Sequence, residues 1–249
     1  MTDIPDESEP TLYLIPTPIG NLEDITLRAM RILQSVDALA CEDTRHTRKI
    51  YERHALTSPP IIFPCHAHNE DRAVGRILSL LRDGKSVGLT SDAGAPGVSD
   101  PGQRAAAAAI EAGYQVVSLP GASAVITALT VSGLPIPAFT FLGFLPRRPG
   151  RQRKLFLAFA EAPSALVFFE SPFRVGKILA IAHEVLGDRP AAVCIELTKK
   201  FESIHRGPLS DLSEQFSDQK IKGEVTIVIG PPIREDSTKG ETSGLPGLP

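Results

Sequence analysis

KSVGLTSDAGAPGVSDPGQRAAAAAIEA, residues 85–112, runs from a strand through a glycine-rich loop into a helix. Val87, Leu89 and Thr90 make Lys85–Thr90 a short β-type run. Pro101–Ala112 is rich in alanine, the best helix former, and the pattern predicts Asp100 at its N-cap with Pro101 at the first position. Between them, Ser91–Gly102 holds three glycines and two prolines in twelve residues. Glycine permits positive φ and close backbone approach, and proline stiffens the chain. A β–α connection is usually about two to six residues long. The excess length suits a loop that presents backbone N–H and C=O groups to a small flat ligand; the plainer reading is a tight connection.

Outward from this unit the alternation continues. Leu12–Ile15, Asp37–Cys41, Ile61–Phe63 and Tyr114–Leu119 read as strands. Asp24–Val36, Thr44–His54, Glu70–Arg82 and Ala122–Val131 read as helices. Five strands separated by helices imply a parallel sheet with helices on both faces. Two prolines in Gly133–Ala138 break the pattern and place a linker at 134–138. Beyond it, Phe139–Phe144, Ala165–Phe169, Ala191–Leu197, Glu202–Arg206 and Glu224–Ile229 read as strands. Helices are expected at Gln152–Ala160 and Pro172–Leu186, with a short one near Leu209–Phe216. Two of these strands follow one another without a long crossover, which predicts a mixed second sheet. The layout is therefore an N-terminal α/β domain (12–133) and a C-terminal α/β domain (139–232), with acidic tails at 1–11 and 233–249 expected to be disordered.

Ligands of open α/β sheets bind beyond the carboxyl ends of the strands. The unusual residues fall there: PTPIGNLEDIT after the first strand, EDTRHT after the second, PCHAHNE after the third, SDAGAPGVSDPG after the fourth and PGASA after the fifth. In Pro64–Glu70, His66, His68 and Glu70 are compatible with an active-site or RNA contact, with metal ligation, or with simple helix capping, though no third ligand is visible. Glu42–Arg48 reads as a solvated helix start or as part of a site. Arg147, Arg148, Arg151, Arg153 and Lys154 put five positive charges in eight residues, either a phosphate-backbone contact or a solvated face. Arg45, Arg48, Lys49 and Arg53 add basic residues on another helix. The chain has no P-loop, no G-x-G-x-x-G and no G-x-S-x-G elbow, which argues against nucleotide phosphates as ligand and against serine hydrolysis.

The net charge is -3, but Asp3, Asp6, Glu7 and Glu9, with Arg234, Glu235, Asp236, Lys239 and Glu241, put the acidity in the tails and leave the body at +2. Cys41, Cys65 and Cys194 are far apart and form no C-x-x-C pair, which suits a reducing cytoplasm without structural zinc. The polar, acidic start MTDIPDESEP is unlike a signal peptide, and no apolar run approaches the roughly 20 residues of a membrane span.

The ordered motifs YLIPTPIGNLEDIT, ACEDTRHT, HAHNE, GLTSDAGAPGVSDPG, SLPGASA, FLGFLPR, FFESPFR, IELTKKFESIHRG and KGEVTIVI closely resemble the small-subunit (16S) ribosomal RNA cytidine 2′-O-methyltransferase family, of the tetrapyrrole-methylase-like fold. The resemblance spans about Leu12 to Gly230. It implies S-adenosylmethionine as cofactor, no metal, a homodimer, and as substrate a cytidine ribose in the decoding region of 16S RNA within the small subunit. By that match Asp92, Ala93, Gly94 and Val98 line the cofactor, Ser123 and Ala124 hold its other end, Ile19 covers it, and Phe169 and Thr198 close the pocket from the second domain. Porphyrin-precursor relatives carry G-x-G-P-G-D where this chain has Pro16–Asn21 (PTPIGN), and G-D-P where it has Ser91-Asp92-Ala93. The first departure disfavours a tetrapyrrole substrate.

A ribose hydroxyl is a poor nucleophile at neutral pH, so a base should take its proton. Glu42, Asp43, His68 and Glu70 lie on the loop edge, with Lys200 as an electrostatic partner; His68 and Glu70 are preferred, and Asp43 follows. Arg45, Arg48, Arg147, Arg148, Arg151 and Lys154 are the expected RNA contacts. The rivals are a small-molecule methyltransferase acting on a precorrin and a non-enzymatic RNA-binding protein.

Overall fold

The computed structural model describes residues 9–232. Two compact units emerge: one ends at Val131 and also takes in Ile195–Ser203, and the other comprises Ser132–Cys194 and the chain from Ile204 onward.

The first unit is the expected parallel sheet. Its strands are β1 (Thr11–Leu14), β2 (Ala38–Cys41), β3 (Ile61–Pro64), β4 (Val87–Thr90) and β5 (Gln115–Ser118), in the order β3-β2-β4-β1-β5. Every neighbouring pair is parallel. Helices α1 (Leu27–Ser35) and α2 (Thr44–Arg53) bury Ile32, Leu33, Ile50 and Tyr51 against Tyr13, Ile15 and Leu39. Helices α3 (Glu70–Arg82) and α4 (Gln103–Glu111) bury Ile77, Leu81, Ala105 and Ala109 against Leu12, Ala40, Val87 and Leu89. The two sets of strand residues alternate along β1 and β2, as a period-2 strand covered on both faces requires. The chain steps one way through α1 and α2 and the other way through α3 and α4. The switch point lies between adjacent β1 and β4, where ligand crevices form in such sheets.

Three local expectations are corrected. The helix read at Asp24–Val36 is a 3-10 turn, Leu22–Asp24, followed by α1, because Thr26 accepts a hydrogen bond from the Ala29 N–H at 3.0 Å and restarts the helix there. The N-cap of α4 is Gly102 and not Asp100. Ser99 (φ 66°) and Gly102 (φ 137°) are left-handed, so Asp100 and Pro101 belong to a turn, and the helix begins at Gln103. Thr11 is not tail but the fully buried first residue of β1. The disorder expected for residues 1–8 and 233–249 lies outside the described residues.

The second unit carries β6 (Phe139–Phe144), β7 (Ala165–Glu170), β8 (Pro190–Ile195), β9 (Ser203–Pro208) and β10 (Val225–Ile229) in the order β6-β7-β10-β8-β9. β6 is parallel to β7, and β10 runs antiparallel to it, so the sheet is mixed. Helix α5 (Ala124–Ser132) leads toward this unit, which holds α6 (Pro149–Ala158), α7 (Val175–Leu186) and α8 (Leu209–Gln215). Phe156, Phe168, Leu166, Ile178 and Leu179 are buried to under 2% exposure and form its apolar interior.

Gly75 lies inside α3, and a Cβ added there meets nothing within 4 Å. Gly75→Ala is therefore expected to stabilise the fold by about 1 kcal/mol through helix propensity alone. A melting temperature unchanged or lowered in a thermal scan would contradict this.

Candidate active site

Parallel pairing of all five strands puts their carboxyl ends, and hence the five unusual loops, on one edge of the first unit. At the switch point the first and fourth loops are joined. Thr17 N–H donates to Gly94 C=O at 3.0 Å and Gly94 N–H to Thr17 C=O at 2.9 Å, a two-residue antiparallel bridge. The Thr17 hydroxyl donates to Ser91 C=O at 3.0 Å, and the Ser91 hydroxyl to Gly94 C=O at 3.1 Å. Gly94 sits at φ 79°, where a side chain would be strained, and the position of its missing Cβ lies 3.6 Å from Ile19 Cγ2 and 3.7 Å from Ala122 C=O. The fifth loop closes the set: a Cβ on Gly121 would lie 2.6 Å from Pro16 Cβ.

Asp92 ties the second loop to the fourth. Its Oδ1 accepts from the Asp43 N–H at 3.0 Å, its Oδ2 lies 3.3 Å from His46 Nδ1, and its own N–H donates to Glu42 Oε2 at 3.2 Å. Asp43 caps α2 by accepting from Arg45 N–H at 2.8 Å, and its carboxylate pairs with the Arg45 guanidinium at 2.6 Å. The Arg45 guanidinium, then its backbone N–H, hold the Asp43 carboxyl well below the ordinary carboxylate range. So low a proton affinity makes Asp43 a poor base and a good cap.

The third loop is pinned by Asn69, which accepts from His66 N–H at 2.8 Å and donates to Pro64 C=O at 3.0 Å. His68 is exposed, with its ring 6.1 Å from that of His66. His66 Nδ1 is buried without a hydrogen-bond partner among the described residues. Glu70 accepts from Gly102 N–H at 3.3 Å and lies 3.9 Å from Arg104, which itself pairs with Asp71. Its carboxylate therefore anchors the fourth loop. At the start of the third loop the Cys65 thiol is pushed up to about 11 by burial and the nearby Glu70 charge, so it stays protonated.

Thr198 is placed with the first unit, not the second. Its hydroxyl accepts from the Asn21 N–H at 3.1 Å, which hooks residues 195–203 onto the first loop. Ile19, Asp92, Ala93, Gly94, Val98, Ser123, Ala124 and Thr198 all belong to the first unit; Phe169 lies on β7 in the second. The left-handed Gly94, the Ile19 and Ala122 wall, and the buried Thr90 hydroxyl at the end of β4, without a partner among the described residues, fit a ligand lying across the switch point.

A family model of Tetrapyrrole (Corrin/Porphyrin) Methylases matches residues 11–213. The chain belongs to the tetrapyrrole methylase family. The ribosomal RNA small subunit methyltransferase I of Micromonospora olivasterospora is 46% identical to it over 220 residues, 88% of this chain and 70% of that one. The protein of the same name from Bacillus subtilis (strain 168) is 42% identical over 218 residues, 88% and 74% of the two chains. Among solved structures, the cobalt precorrin-4 methyltransferase CbiF superposes with a TM-score of 0.66 at 18% identity, covering 91% of this chain and 97% of that one. A Thermus thermophilus uroporphyrin-III C-methyl transferase complexed with S-adenosyl homocysteine gives 0.60 at 19%, covering 88% and 97%. At these identities the structural likeness establishes the two-domain tetrapyrrole methylase fold.

Within this family member the expected RNA contacts divide. Arg147, Arg148, Arg151 and Lys154 are exposed around the start of α6, whereas Arg153 is engaged by Glu184 at 2.6 Å. Arg45 is exposed but paired with Asp43. Arg48 lines an open pocket of about 760 Å³ with Thr44, Tyr51, Glu52, Leu56 and Ile62. Among the described residues no group of three or more His, Cys, Asp or Glu side chains is arranged to hold a metal, and no helix is long and apolar enough to cross a membrane. His46 lies in the segment Glu42–Arg48 that reads as part of a site, but only the structure sets it against Asp92.

Proposed function

We propose that this tetrapyrrole methylase transfers the methyl group of S-adenosylmethionine to the ribose 2′-hydroxyl of a cytidine in the decoding region of 16S ribosomal RNA. The observation that carries the reading is the 40–46% identity, over most of the chain, to proteins named ribosomal RNA small subunit methyltransferase I. The non-tetrapyrrole first loop Pro16–Asn21 and the exposed Arg147, Arg148, Arg151 and Lys154 agree with an RNA substrate. A homodimer acting on the small subunit in the cytoplasm completes the proposal.

The bound cofactor supplies an electrophilic methyl group on a sulfonium; the protein positions the acceptor and keeps water out. Ile19, Asp92, Ala93, Gly94, Val98, Ser123, Ala124 and Thr198, all in the first unit, would hold it. His68, on a loop pinned by Asn69, would take the proton of the ribose hydroxyl. Glu70 positions the fourth loop through Gly102. Asp43, the third candidate, is read instead as the cap that keeps α2 in register with Asp92.

His68→Ala is expected to lower methyl transfer by about 100-fold, the low end for a lost general base. Glu70→Gln, which keeps an acceptor for Gly102, is expected to lose far less. Near-normal transfer by His68→Ala would rule out His68 as the base. The reaction itself is tested by incubating the enzyme and radiolabelled S-adenosylmethionine with small ribosomal subunits lacking the modification. Label recovered in an alkali-resistant dinucleotide identifies a 2′-O-methyl group. A second reading, a small-molecule acceptor such as a precorrin, is favoured by the substrates named for the structural neighbours. Label in a precorrin and none in RNA would establish it.

A further inference from the structure

Residues 195–203 (IELTKKFES) leave the second sheet after β8 and return to it at β9, yet they pack with the first unit. Half of the four non-glycine residues with positive φ among the described residues fall in this segment, Glu196 at 53° and Thr198 at 65°. Such conformations persist only where the surroundings over-determine them, and they cluster at functional sites. Here the restraints are explicit. Lys199 N–H donates to Glu196 C=O and Glu202 N–H to Lys199 C=O, each at 3.0 Å. Thr198 N–H donates to Glu202 Oε2 at 2.6 Å, and Lys199 Nζ meets Glu196 Oε1 at 2.8 Å. Gly20 lets the first loop press onto this turn, since a Cβ there would lie 2.6 Å from Thr198 Oγ1 and 2.9 Å from Leu197 C=O.

What the held turn presents is Phe201, 75% exposed, with Lys200 Nζ 5.6 Å from its ring centroid. A rigid turn carrying an uncovered aromatic face with a cation beside it matches a nucleotide, which offers a flat π-face and a phosphate together. The chain neighbours of Phe201, Lys200 and Glu202, are exposed and charged, so the turn itself offers no apolar run for protein docking. The turn is bonded to the first loop at Asn21, and the first loop to Gly94, so Phe201 belongs to the same loop edge as the switch point.

We propose that Phe201 stacks on a nucleobase of the RNA substrate at or beside the methylated nucleotide, with Lys200 contacting the adjoining phosphate. The inference rests on an RNA substrate for this enzyme. The test measures methyl transfer to unmodified small ribosomal subunits by wild type, Phe201→Ala, Phe201→Leu, Phe201→Trp and Lys200→Ala, with binding of S-adenosylmethionine measured separately. Removing one base–aromatic stack corresponds to roughly 5- to 150-fold. Phe201→Ala and Phe201→Leu are expected to raise KM for the subunit by about 10-fold or more, with cofactor affinity unchanged, and Phe201→Trp to restore it. Lys200→Ala is expected to reduce the slope of log affinity against log salt by about one. Wild-type KM in Phe201→Ala overturns the proposal, as does full recovery by leucine, which would mean simple apolar packing. A change in oligomeric state in place of a change in KM would assign Phe201 to a protein contact and overturn it as well. Wild type that labels no RNA removes the substrate reading itself, a result distinct from all of these.

Discussion

Asp92→Ala is expected to lower methyl transfer by about 100-fold or more at saturating cofactor. The side chain spans two loops, accepting from Asp43 N–H at 3.0 Å and facing His46 at 3.3 Å, while its backbone N–H holds Glu42. Truncation leaves the partly buried Asp43 N–H without its acceptor, at about 1–3 kcal/mol, and frees His46 from its pair. The second loop then keeps only the Asp92 N–H to Glu42 and Glu42 N–H to Thr90 C=O bonds to the fourth, which carries the Gly94 bridge to Thr17. About 3 kcal/mol of lost positioning corresponds to roughly 100-fold in rate. Asp92→Asn keeps an oxygen for Asp43 N–H and loses only the charge facing His46, so a smaller fall is expected. Rates of the two variants on small ribosomal subunits, with thermal melts to confirm folding, decide the matter. An alanine variant within a few-fold of wild type would show that the loops hold without Asp92.

The largest effect on stability is expected from Gly176→Ala. Gly176 lies in the first turn of α7, where the end of α8 crosses it. A Cβ there would lie 2.7 Å from the carbonyl carbon of Phe216 and 3.0 Å from Ser217 Cα, with the Phe216 oxygen closer still. These are backbone atoms, which cannot swing aside as a side chain can. The same substitution at Gly75 gains helix propensity without contact; at Gly176 that gain, about 1 kcal/mol, is outweighed by overpacking. A net loss of about 2 kcal/mol is expected, lowering the melting temperature by roughly 4–8 °C. An alanine variant as stable as wild type would mean that α8 shifts away freely.

Much of the fold was legible because its signals are local. Short β-branched runs alternating with amphipathic helices predict a parallel sheet, and each of the five strands of the first unit lies where the pattern places it, within a residue or two. Errors arose where a local rule met a longer-range one. Asp100-Pro101 has the composition of a helix start, but Gly102 at φ 137° delays the helix to Gln103, and Glu70, from a helix 32 residues upstream, accepts the Gly102 N–H. Asp43 looked like a candidate base because it sits at a strand end among polar residues. Its proton affinity is set by the Arg45 guanidinium folded back onto it, a rotamer that composition does not specify.

The sequence by itself determined the elements, their faces and the edge on which the chemistry gathers, because periodicity and Gly/Pro punctuation act over a few residues. Only the tertiary structure decided which loops are neighbours. The order β3-β2-β4-β1-β5 sets the first loop beside the fourth, some 75 residues apart in sequence, and lets Thr17 bridge Gly94. It also carried Thr198 from the domain in which it was expected into the first unit. Left-handed Glu196 and Thr198 leave no mark in composition, since neither is glycine. Thr198 is held there in part by Asn21, 177 residues away, and bonds of that reach form only once both ends are packed.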